Sequence, residues 1–308
     1  MTYEQKDLLG LRKLSKESLH LIIDQAKSLK EVLTRENKQV LTLRGKTFVN
    51  LFCEPSTRTR SSFEMAIKLM GASALNLNVQ TSAFKKGESL YDTVKNLRAL
   101  GADGIIIRHK NGGAPHFIAK HLDIPVINAG DGYNEHPTQA LLDIFTMTET
   151  CSNLKGKKVL ILGDIAHSRV ARSNIWGLTK LGAEVYVCGP KTLIPPYIEK
   201  TGAKLIYDID SIIPELDFIN VLRVQYERQE IGYFPSIREY RSLFGLTSKR
   251  LEKAKKDIVI MHPGPMNRGI EIDTDVADGP HNVILDQVKN GVAIRMAILY
   301  LLIIRGCK

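Results

Sequence analysis

Hydrophobic and polar positions follow two periods along this chain, one typical of helices and one typical of strands. Between residues 15 and 33, apolar residues recur every third or fourth position, which predicts an amphipathic helix. Runs rich in β-branched and aromatic residues at 46–52 and an alternating run at 74–79 predict strands, with a helix between them at about 59–70. Strands that alternate with helices in this way are typical of a parallel sheet covered on both faces.

The alternation continues to the end of the chain. The first half adds strands and helices at 89–100, 104–108, 115–122, 125–128 and from Pro137 onward. After Thr150 the cycle restarts, with predicted elements at 158–162, 168–181, 184–188, 204–206, 217–222, 257–261 and about 283–304. The sequence therefore predicts an α/β protein of two doubly wound parallel-sheet domains, with a boundary in the helix after Pro137.

Polar and charged residues collect just after the predicted strands. These segments are 54–60, 81–88, 108–109, 131–139, 163–169, 223–228 and 262–265. The carboxyl ends of parallel strands meet at one edge of a sheet, where open α/β folds bind their ligands. We therefore expect the two domains to face each other across a cleft that these segments line, with the active site in that cleft.

The strongest chemical signal is the segment Ser56-Thr-Arg-Thr-Arg60, called the anion cradle below. It places hydroxyls, guanidinium groups and backbone N–H groups at the start of a helix, an arrangement that binds anions. Taken alone, it fits a structural role equally well, since a Ser or Thr before a helix is also an ordinary N-cap. Lys86 and His136 alone also fit structural roles, in a solvated turn and at a helix start. Their convergence at one sheet edge favours the functional interpretation.

Composition and charge limit the classes of function. The chain has 308 residues, 44% of them hydrophobic, and a net charge of +10, which suits a nucleic acid, an acidic lipid surface or a small anionic substrate. The basic run at 249–256 fits the solvated face of a helix, and no continuous basic and aromatic face indicates nucleic-acid binding. The apolar stretch 296–304 is too short to span a membrane, so a buried helix is expected there.

Motifs for cofactors, metals and secretion are not found in the sequence. The four cysteines form no C-x-x-C pair, the histidines show no metal-site spacing, and neither a P-loop nor a complete dinucleotide fingerprint is present. We therefore expect no metal and no cofactor. The first residues carry charges of both signs without an apolar signal core, so a cytoplasmic location is expected.

The chain resembles the aspartate/ornithine carbamoyltransferase family over nearly its whole length. Five motifs match in order, namely Phe-Cys-Glu-Pro-Ser-Thr-Arg-Thr-Arg-Ser-Ser-Phe-Glu at 52–64, Lys-Lys-Gly-Glu at 85–88, Asn-Ala-Gly-Asp-Gly and His-Pro-Thr-Gln within 128–139, Arg-Val-Gln and Glu-Arg within 223–228, and His-Pro-Gly-Pro at 262–265. The first motif is shared across the family, and the last two are similar to those of its aspartate members. Ornithine members would be expected to carry His-Cys-Leu-Pro at the last position and a Ser-Met-Gly loop.

The resemblance implies a role for each matching residue. Carbamoyl phosphate would be bound by Ser56, Thr57, Arg58, Thr59, Arg108, His136, Gln139 and the backbone of Gly264 and Pro265. Aspartate would be bound by Lys86, Arg169, Arg223 and Gln225. The first domain, residues 1–140 completed by a C-terminal helix at about 285–308, would bind carbamoyl phosphate, and the second, residues 141–284, would bind aspartate.

The implied reaction transfers the carbamoyl group of carbamoyl phosphate to the amino group of L-aspartate, on the route to pyrimidines. Arg58, Thr59, Arg108 and His136 would stabilise the charge that develops on the carbonyl oxygen, without a covalent intermediate. The resemblance also implies a homotrimer in which Ser82 and Lys86 reach the neighbouring subunit's site. Transfer to another amino acid such as ornithine, nucleic-acid binding and a non-catalytic paralogue stay open as alternatives, as does association with a regulatory chain or a dihydroorotase.

Overall fold

Two α/β units make up the chain in the computed structural model, which describes residues 3–78, 87–224 and 236–305. The first unit comprises residues 1–145 together with 289–308, and the second comprises residues 146–288. Each contains one sheet, and all strand pairs in both sheets are parallel. The predicted fold class, α/β with two parallel-sheet domains, is confirmed.

The sheet of the first unit has four strands in the order β2-β1-β3-β4. They are β1 (Thr47–Phe52), β2 (Ser73–Asn78), β3 (Gly104–His109) and β4 (Val126–Asp131). The helices up to the second unit are α1 (Lys16–Val32), α2 (Thr57–Leu69), α3 (Leu90–Ala99), α4 (Ala114–Ala119) and α5 (Pro137–Thr150). Strands β1 and β4 are buried at nearly every position, as expected for a sheet with helices on both faces.

The sheet of the second unit has five strands in the order β7-β6-β5-β8-β9. They are β5 (Lys158–Leu162), β6 (Glu184–Cys188), β7 (Lys204–Ile206), β8 (Phe218–Val221) and β9 (Val259–Met261). The remaining helices are α6 (Arg169–Lys180), α7 (Ile237–Phe244), α8 (Ser248–Leu251), α9 (Thr274–Ala277) and α10 (Ile284–Tyr300). One face of this sheet packs on a buried apolar cluster that includes Leu160, Ile219, Tyr240 and Ile260.

The basic run at 249–256 differs from its prediction. Helix α8 ends at Leu251, so the run does not form one solvated helix face. Two of its cations are instead held by carboxylates, Arg250 by Asp210 at 3.2 Å and Lys255 by Asp217 at 2.9 Å. The helix prediction rested on the spacing of Leu251 and Ala254. Both residues pack against the apolar cluster of the second unit, Leu251 from the short helix α8 and Ala254 from the turn after it.

The C-terminal helix α10 is buried, as the sequence predicted. Residues Ile284–Ile304 form the one helical segment among the described residues that is long and apolar enough to cross a membrane, and 72% of its most apolar window is buried inside the protein. A core helix of a folded domain has these properties. Its last turn, Leu301–Arg305, is a π-helix.

The N-terminal segment is attached to the first sheet. The Leu8 backbone donates to Val126 O at 3.0 Å and accepts from Asn128 N at 2.9 Å, which extends the pairing beyond the edge strand β4. Glu135, which is 5% exposed, accepts the backbone N–H of Leu11 at 2.6 Å and that of Arg12 at 3.3 Å. These contacts connect residues 8–12 to the loop that ends at His136.

Candidate active site

The switch point of the first sheet, where the direction of winding reverses, lies between β1 and β3. The chain crosses from β1 to β2 on one side and later continues to β3 on the other, so the direction of winding reverses between β1 and β3. Phe52 pairs in register with Arg108, and His109 pairs with Asp131. The carboxyl ends of β1, β3 and β4 therefore lie side by side, with residues 53–57, 110–113 and 132–136 following them.

Ser56 occupies the N-cap position of α2, yet within the described part of the chain its hydroxyl makes no capping hydrogen bond. The other helices that begin after a serine are capped in the usual way, by Ser15, Ser89, Ser168 and Ser236, each of which accepts from the backbone N–H three residues later. The ordinary N-cap explanation therefore does not account for Ser56. The first backbone N–H groups of a helix have no acceptor within it, so the start of α2 is a place where an anion can bind.

The rest of the anion cradle occupies the first turn of α2. Thr57 and Arg58 are exposed, whereas Thr59 is only 8% exposed. A small pocket beside this turn is lined by residues 52–57 and by Arg60. The lining includes one cation, Arg60, and one carboxylate, Glu54, and an anion at the start of α2 would also meet the positive end of the helix dipole.

Arg108 comes from the end of β3, next to the end of β1. Its Nε atom lies 3.3 Å from Oε2 of Glu54, and its Nη1 atom donates to the carbonyl oxygen of Ala129 at 3.4 Å. Both charged side chains of this pair are largely buried, at 14% and 19% exposure. Glu54 and the Ala129 carbonyl of β4 thus orient the guanidinium group from two sides. Glu54 can reach Arg108 because Phe52, two residues earlier, pairs in register with Arg108.

Asp131 organises the loop that leads to His136. The carboxylate is fully buried and accepts four hydrogen bonds, from the backbone N–H groups of Gly113 and Glu135 and from the side-chain amides of Asn128 and Asn134, at 2.7–3.1 Å. No motif argument singled out Asp131 as a supporting residue. An Asp followed by Gly at the end of a strand is typical of a turn, and this pattern could have identified Asp131 as the residue that holds the loop.

His136 and Gln139 lie at the start of α5 and are both buried, at 4% and 9% exposure. The His136 carbonyl oxygen accepts the N–H groups of Gln139 and Ala140, which fixes the first turn of the helix. The Gln139 side chain donates from Nε2 to Oδ1 of Asp143 at 2.9 Å. Two polar side chains are thereby brought from β4 to the same sheet edge as the anion cradle and Arg108.

Two predicted residues of the second unit, Arg169 and Arg223, lie where its winding reverses, between β5 and β8. Arg169 is the first residue of α6 after β5 and is 4% exposed, and Arg223 follows β8 and is half-buried. A Cβ atom on Gly189 would lie 2.1 Å from the carbonyl oxygen of Gly163. The segment between β5 and Arg169 therefore follows a path that only a glycine at 189 permits.

A buried aspartate orients a histidine just before Arg169. Asp164 is fully buried, its Oδ1 accepts the backbone N–H of His167 at 3.1 Å, and it lies 2.9 Å from the Nδ1 atom of the same residue. The contact from Nδ1 to Asp164 fixes the orientation of the His167 ring. The sequence analysis assigned no role to Asp164 and His167. Their separation of three residues is the one feature of the sequence that points to this contact.

Gly264 and Pro265 lie in a loop after β9 that is fixed by Glu271. The buried Glu271 carboxylate contacts His262 Nε2 at 3.2 Å and accepts the backbone N–H of Asn267 at 2.6 Å. The Gly264 N–H donates to His262 Nδ1 at 2.8 Å, so Nε2 carries the imidazole proton and donates to Glu271. Both ends of the 262–267 loop are therefore bonded to one carboxylate.

Three predicted site residues, Ser82, Lys86 and Gln225, lie outside the described residues. Of the others, Arg169 and Arg223 lie at the switch point of the second sheet, Gly264 and Pro265 lie in the loop after its edge strand β9, and the rest lie at the switch point of the first sheet. Within residues 3–78, 87–224 and 236–305, no three His, Cys, Asp or Glu side chains are grouped as metal ligands.

Comparisons with known protein families follow the division into two units. Residues 6–149 match the carbamoyl-phosphate-binding domain of aspartate/ornithine carbamoyltransferases, and residues 155–302 match the aspartate/ornithine-binding domain. The aspartate carbamoyltransferase catalytic subunit of Moorella thermoacetica is 56% identical over 303 residues, which is 98% of this chain and 99% of that protein. The corresponding subunit of Syntrophobacter fumaroxidans is also 56% identical, over 98% and 99% of the two chains.

Solved structures show the same fold. Aspartate transcarbamoylase from Trypanosoma cruzi, in complex with carbamoyl phosphate, superposes with a TM-score of 0.88 at 27% identity, covering 96% of this chain and 95% of that one. Ornithine carbamoyltransferase from Pyrococcus furiosus gives 0.86 at 32% identity, covering 98% of both chains. With both domain models matched and relatives above half identity over the full length, the chain belongs to the aspartate/ornithine carbamoyltransferase family.

Proposed function

We propose that this protein transfers the carbamoyl group of carbamoyl phosphate to the amino group of L-aspartate, forming N-carbamoyl-L-aspartate and phosphate for pyrimidine synthesis. The observation that carries the proposal is the uncapped Ser56 at the start of α2, placed beside Arg108 and the loop to His136 at one switch point. The relatives above half identity are named for this activity on aspartate.

The first unit would bind carbamoyl phosphate. Ser56, Thr57 and the N–H groups of the first turn of α2 suit the phosphate oxygens, because a helix N-terminus favours negative charge. Arg58 adds a planar group that can form two parallel hydrogen bonds to one phosphate. Arg108 and His136 come from the neighbouring strand ends and suit the carbamoyl oxygen, and the backbone of Gly264 and Pro265 would complete the set.

The second unit would bind aspartate. Arg169 and Arg223 both follow strands at its switch point, and two guanidinium groups match the two carboxylates of aspartate. Ornithine, whose side chain is a cation, would gain nothing from a second arginine. Lys86 and Gln225 are proposed to join them, in accordance with the family pattern.

The reaction needs positioning and electrostatic stabilisation rather than a protein nucleophile. The neutral α-amine attacks the carbamoyl carbon, the carbonyl oxygen gains negative charge and phosphate leaves with the electron pair of the broken C–O bond. Arg58, Thr59, Arg108 and His136 are the proposed donors to that oxygen, and one such donor contributes about 2.7–4 kcal/mol in a transition state. The departing phosphate is the proposed acceptor of the amine proton.

The cysteine at the cradle tests this mechanism. Burial and the charge of Glu54 raise the pKa of Cys53 to about 11, so about one thiol in a thousand is ionised at pH 8. We expect Cys53→Ala to keep kcat within about threefold of the wild type, since no covalent intermediate is formed. A steady-state assay of carbamoyl-amino acid formation measures this, and loss of activity in a folded Cys53→Ala variant would argue for a nucleophilic thiol.

The direct test supplies carbamoyl phosphate with either L-aspartate or L-ornithine and quantifies the carbamoyl-amino acid and the phosphate released. Equimolar N-carbamoyl-L-aspartate and phosphate is the expected result, with no product from ornithine. Product from ornithine alone would retain the carbamoyl-phosphate site and overturn the assignment of the acceptor. Absence of product with both amines, from a folded protein, would favour a non-catalytic paralogue.

We further propose a homotrimer in which Ser82 and Lys86 of one subunit serve the site of its neighbour. Two inactive variants, Lys86→Ala and His136→Ala, then carry complementary defects. Dissociated, mixed in equal amounts and reassembled, they should recover about a quarter of wild-type activity, because a random trimer contains that share of sites with both residues intact. Mass spectrometry confirms mixing, and inactivity of the mixed trimers would contradict shared sites. A cytoplasmic location is proposed with it and is tested by cell fractionation.

A further inference from the structure

Glu135, the residue directly before His136, is held by hydrogen bonds at its side chain and at both backbone groups. Its Oε2 accepts the backbone N–H of Leu11 at 2.6 Å, and its Oε1 accepts that of Arg12 at 3.3 Å. The backbone N–H of Glu135 donates to Oδ1 of Asp131 at 3.1 Å, and its carbonyl oxygen accepts the Asp131 N–H at 3.1 Å. The residue before His136 is therefore held from two directions, by residues 11–12 and by the end of β4.

Gly10 leaves the space that the Glu135 carboxylate occupies. A Cβ atom on Gly10 would lie 2.3 Å from Oε1 and 2.6 Å from Cδ of Glu135, so any side chain at position 10 would displace the carboxylate. The φ angle of Gly10 is outside the left-handed region that favours glycine. The backbone at this position would therefore accept an alanine, and it is the carboxylate that excludes one.

The segment that supplies these N–H groups is itself firmly attached. Leu8 pairs with β4, and the carbonyl oxygen of Leu9 accepts from Nδ2 of Asn128 at 2.9 Å. The same Nδ2 donates to Oδ1 of Asp131 at 2.8 Å. Leu8 and Leu11 are fully buried. Residues 8–12, β4 and the loop after it thus form one hydrogen-bonded unit, which can serve as a fixed support.

His136 receives its position from this unit through its backbone. Glu135 precedes it, and Pro137 follows it, which restricts His136 to extended conformations. Its carbonyl oxygen accepts the N–H groups of Gln139 and Ala140 in the first turn of α5. The backbone of His136 is therefore fixed on both sides, and the residue is 4% exposed.

A carboxylate is the side chain that this arrangement requires. It accepts at both oxygens, whereas an amide has one acceptor and an NH2 group that would face a backbone donor. Burying a carboxylate costs free energy that an apolar side chain would not. Leu8 and Leu11 already attach the segment by burial, so the carboxylate at position 135 indicates a role in holding the loop to His136.

We propose that Glu135 is a positioning residue for His136, and that residues 8–12 are the support against which Glu135 holds it. The inference rests on the proposed function and deepens it, because His136 is a proposed donor to the carbamoyl oxygen. Such a donor is effective only when it is fixed where negative charge develops. The anion cradle lies on a different element, α2, so the binding of inorganic phosphate provides an internal reference.

A double-mutant cycle between Gly10 and Glu135 tests this support. Gly10→Ala should displace the carboxylate and lower kcat about tenfold to a hundredfold, because a misplacement of about 1 Å is enough for such a loss. The Kd for inorganic phosphate, measured by isothermal titration, should change less than threefold. In a Glu135→Ala background the new methyl group meets no carboxylate, so the same substitution should change kcat less than twofold. Glu135→Gln, which keeps one acceptor, should have a kcat between those of the wild type and Glu135→Ala.

NMR of the protein with 13C-labelled histidine reports the position of His136 without turnover. The Cε1–H signal of its ring, assigned by its loss in His136→Ala, should shift in Gly10→Ala and in Glu135→Ala. Lys6→Met is the matched control, because Lys6 lies just before the support and its ammonium group donates to carbonyl oxygens at the end of α4. It should lower the melting temperature while leaving the signal unchanged and kcat within twofold of the wild type.

A Gly10→Ala variant with the wild-type kcat and an unshifted His136 signal would overturn the inference, even if its melting temperature fell, since Glu135 would then have a merely structural role. Equal effects of Gly10→Ala on kcat in the two backgrounds would overturn it as well. A wild-type protein that forms no N-carbamoyl-L-aspartate would overturn the proposed function instead, and the His136 signal would still decide whether Glu135 positions this residue.

Discussion

Arg58→Ala is expected to lower kcat by roughly a hundredfold to a thousandfold, the usual cost of removing one charge-stabilising donor from a transition state. Arg58 lies in the first turn of α2, where the N–H groups and the helix dipole already favour an anion. The arginine is proposed to contact the oxygens on which charge develops, so its loss should affect kcat more than the KM for aspartate. Steady-state kinetics with both substrates varied measures the two effects separately.

Two variants accompany the measurement. Arg58→Lys keeps the positive charge but loses the planar, two-pronged group, so its kcat should fall between those of the wild type and Arg58→Ala. Arg98→Ala removes an exposed arginine paired with Asp123 at 2.8 Å and should leave kcat unchanged. A kcat for Arg58→Ala within fivefold of the wild type would show that the anion cradle does not take part in the reaction.

Glu271→Ala is expected to lower the free energy of unfolding by about 3 kcal/mol, because it leaves one buried and one partly buried N–H group without their acceptor. These are the imidazole N–H of His262 and the backbone N–H of Asn267, both bonded to Oε1 of Glu271. The same change releases the 262–267 loop, which is proposed to present the backbone of Gly264 and Pro265 to carbamoyl phosphate. The KM for carbamoyl phosphate should therefore rise about tenfold.

Urea unfolding and steady-state kinetics measure the two effects. Glu271→Gln keeps one acceptor oxygen and should lose about 1 kcal/mol, less than the alanine variant, because the other oxygen is buried and contacts no hydrogen-bonding group among the described residues. Asp278→Ala, which breaks the exposed pair with Arg268, should leave both stability and KM nearly unchanged. If Glu271→Ala unfolds at the wild-type urea concentration, Glu271 does not hold the loop.

The parallel-sheet fold could be predicted because its strands are continuous apolar runs between clear helix signals. β5, β6 and β7 lie at the predicted residues, and Ser15 and Ser89 cap α1 and α3 where the apolar period begins. Helices α7 and α9 were missed, and α8 was predicted too long, as a helix over 249–256. They have eight, four and four residues, too few for an apolar period to be recognised, and α7 is stabilised by tertiary contacts of Tyr240 and Phe244.

Only the site residues that belong to local sequence motifs could be predicted from the sequence. The anion cradle, Arg108, His136 and Gln139 follow strands, so their meeting at one edge depends on the strand order alone. The supporting residues depend on side-chain packing between distant segments. Glu135 lies 124 positions from Leu11, its hydrogen-bond partner, and no spacing rule connects them.

The pairing of residue Leu8 with β4 also affects how this protein behaves in solution. An edge strand exposes unpaired N–H and C=O groups that can recruit a strand from another molecule, a common start of aggregation. Here the peptide groups of Val126 and Asn128 are bonded to the segment around Leu8. The segment around Leu8 thus covers the edge of the sheet at β4 and prevents a strand of another molecule from pairing there. An expression tag that displaces residues 3–12 would expose these peptide groups and is expected to lower the solubility of the protein.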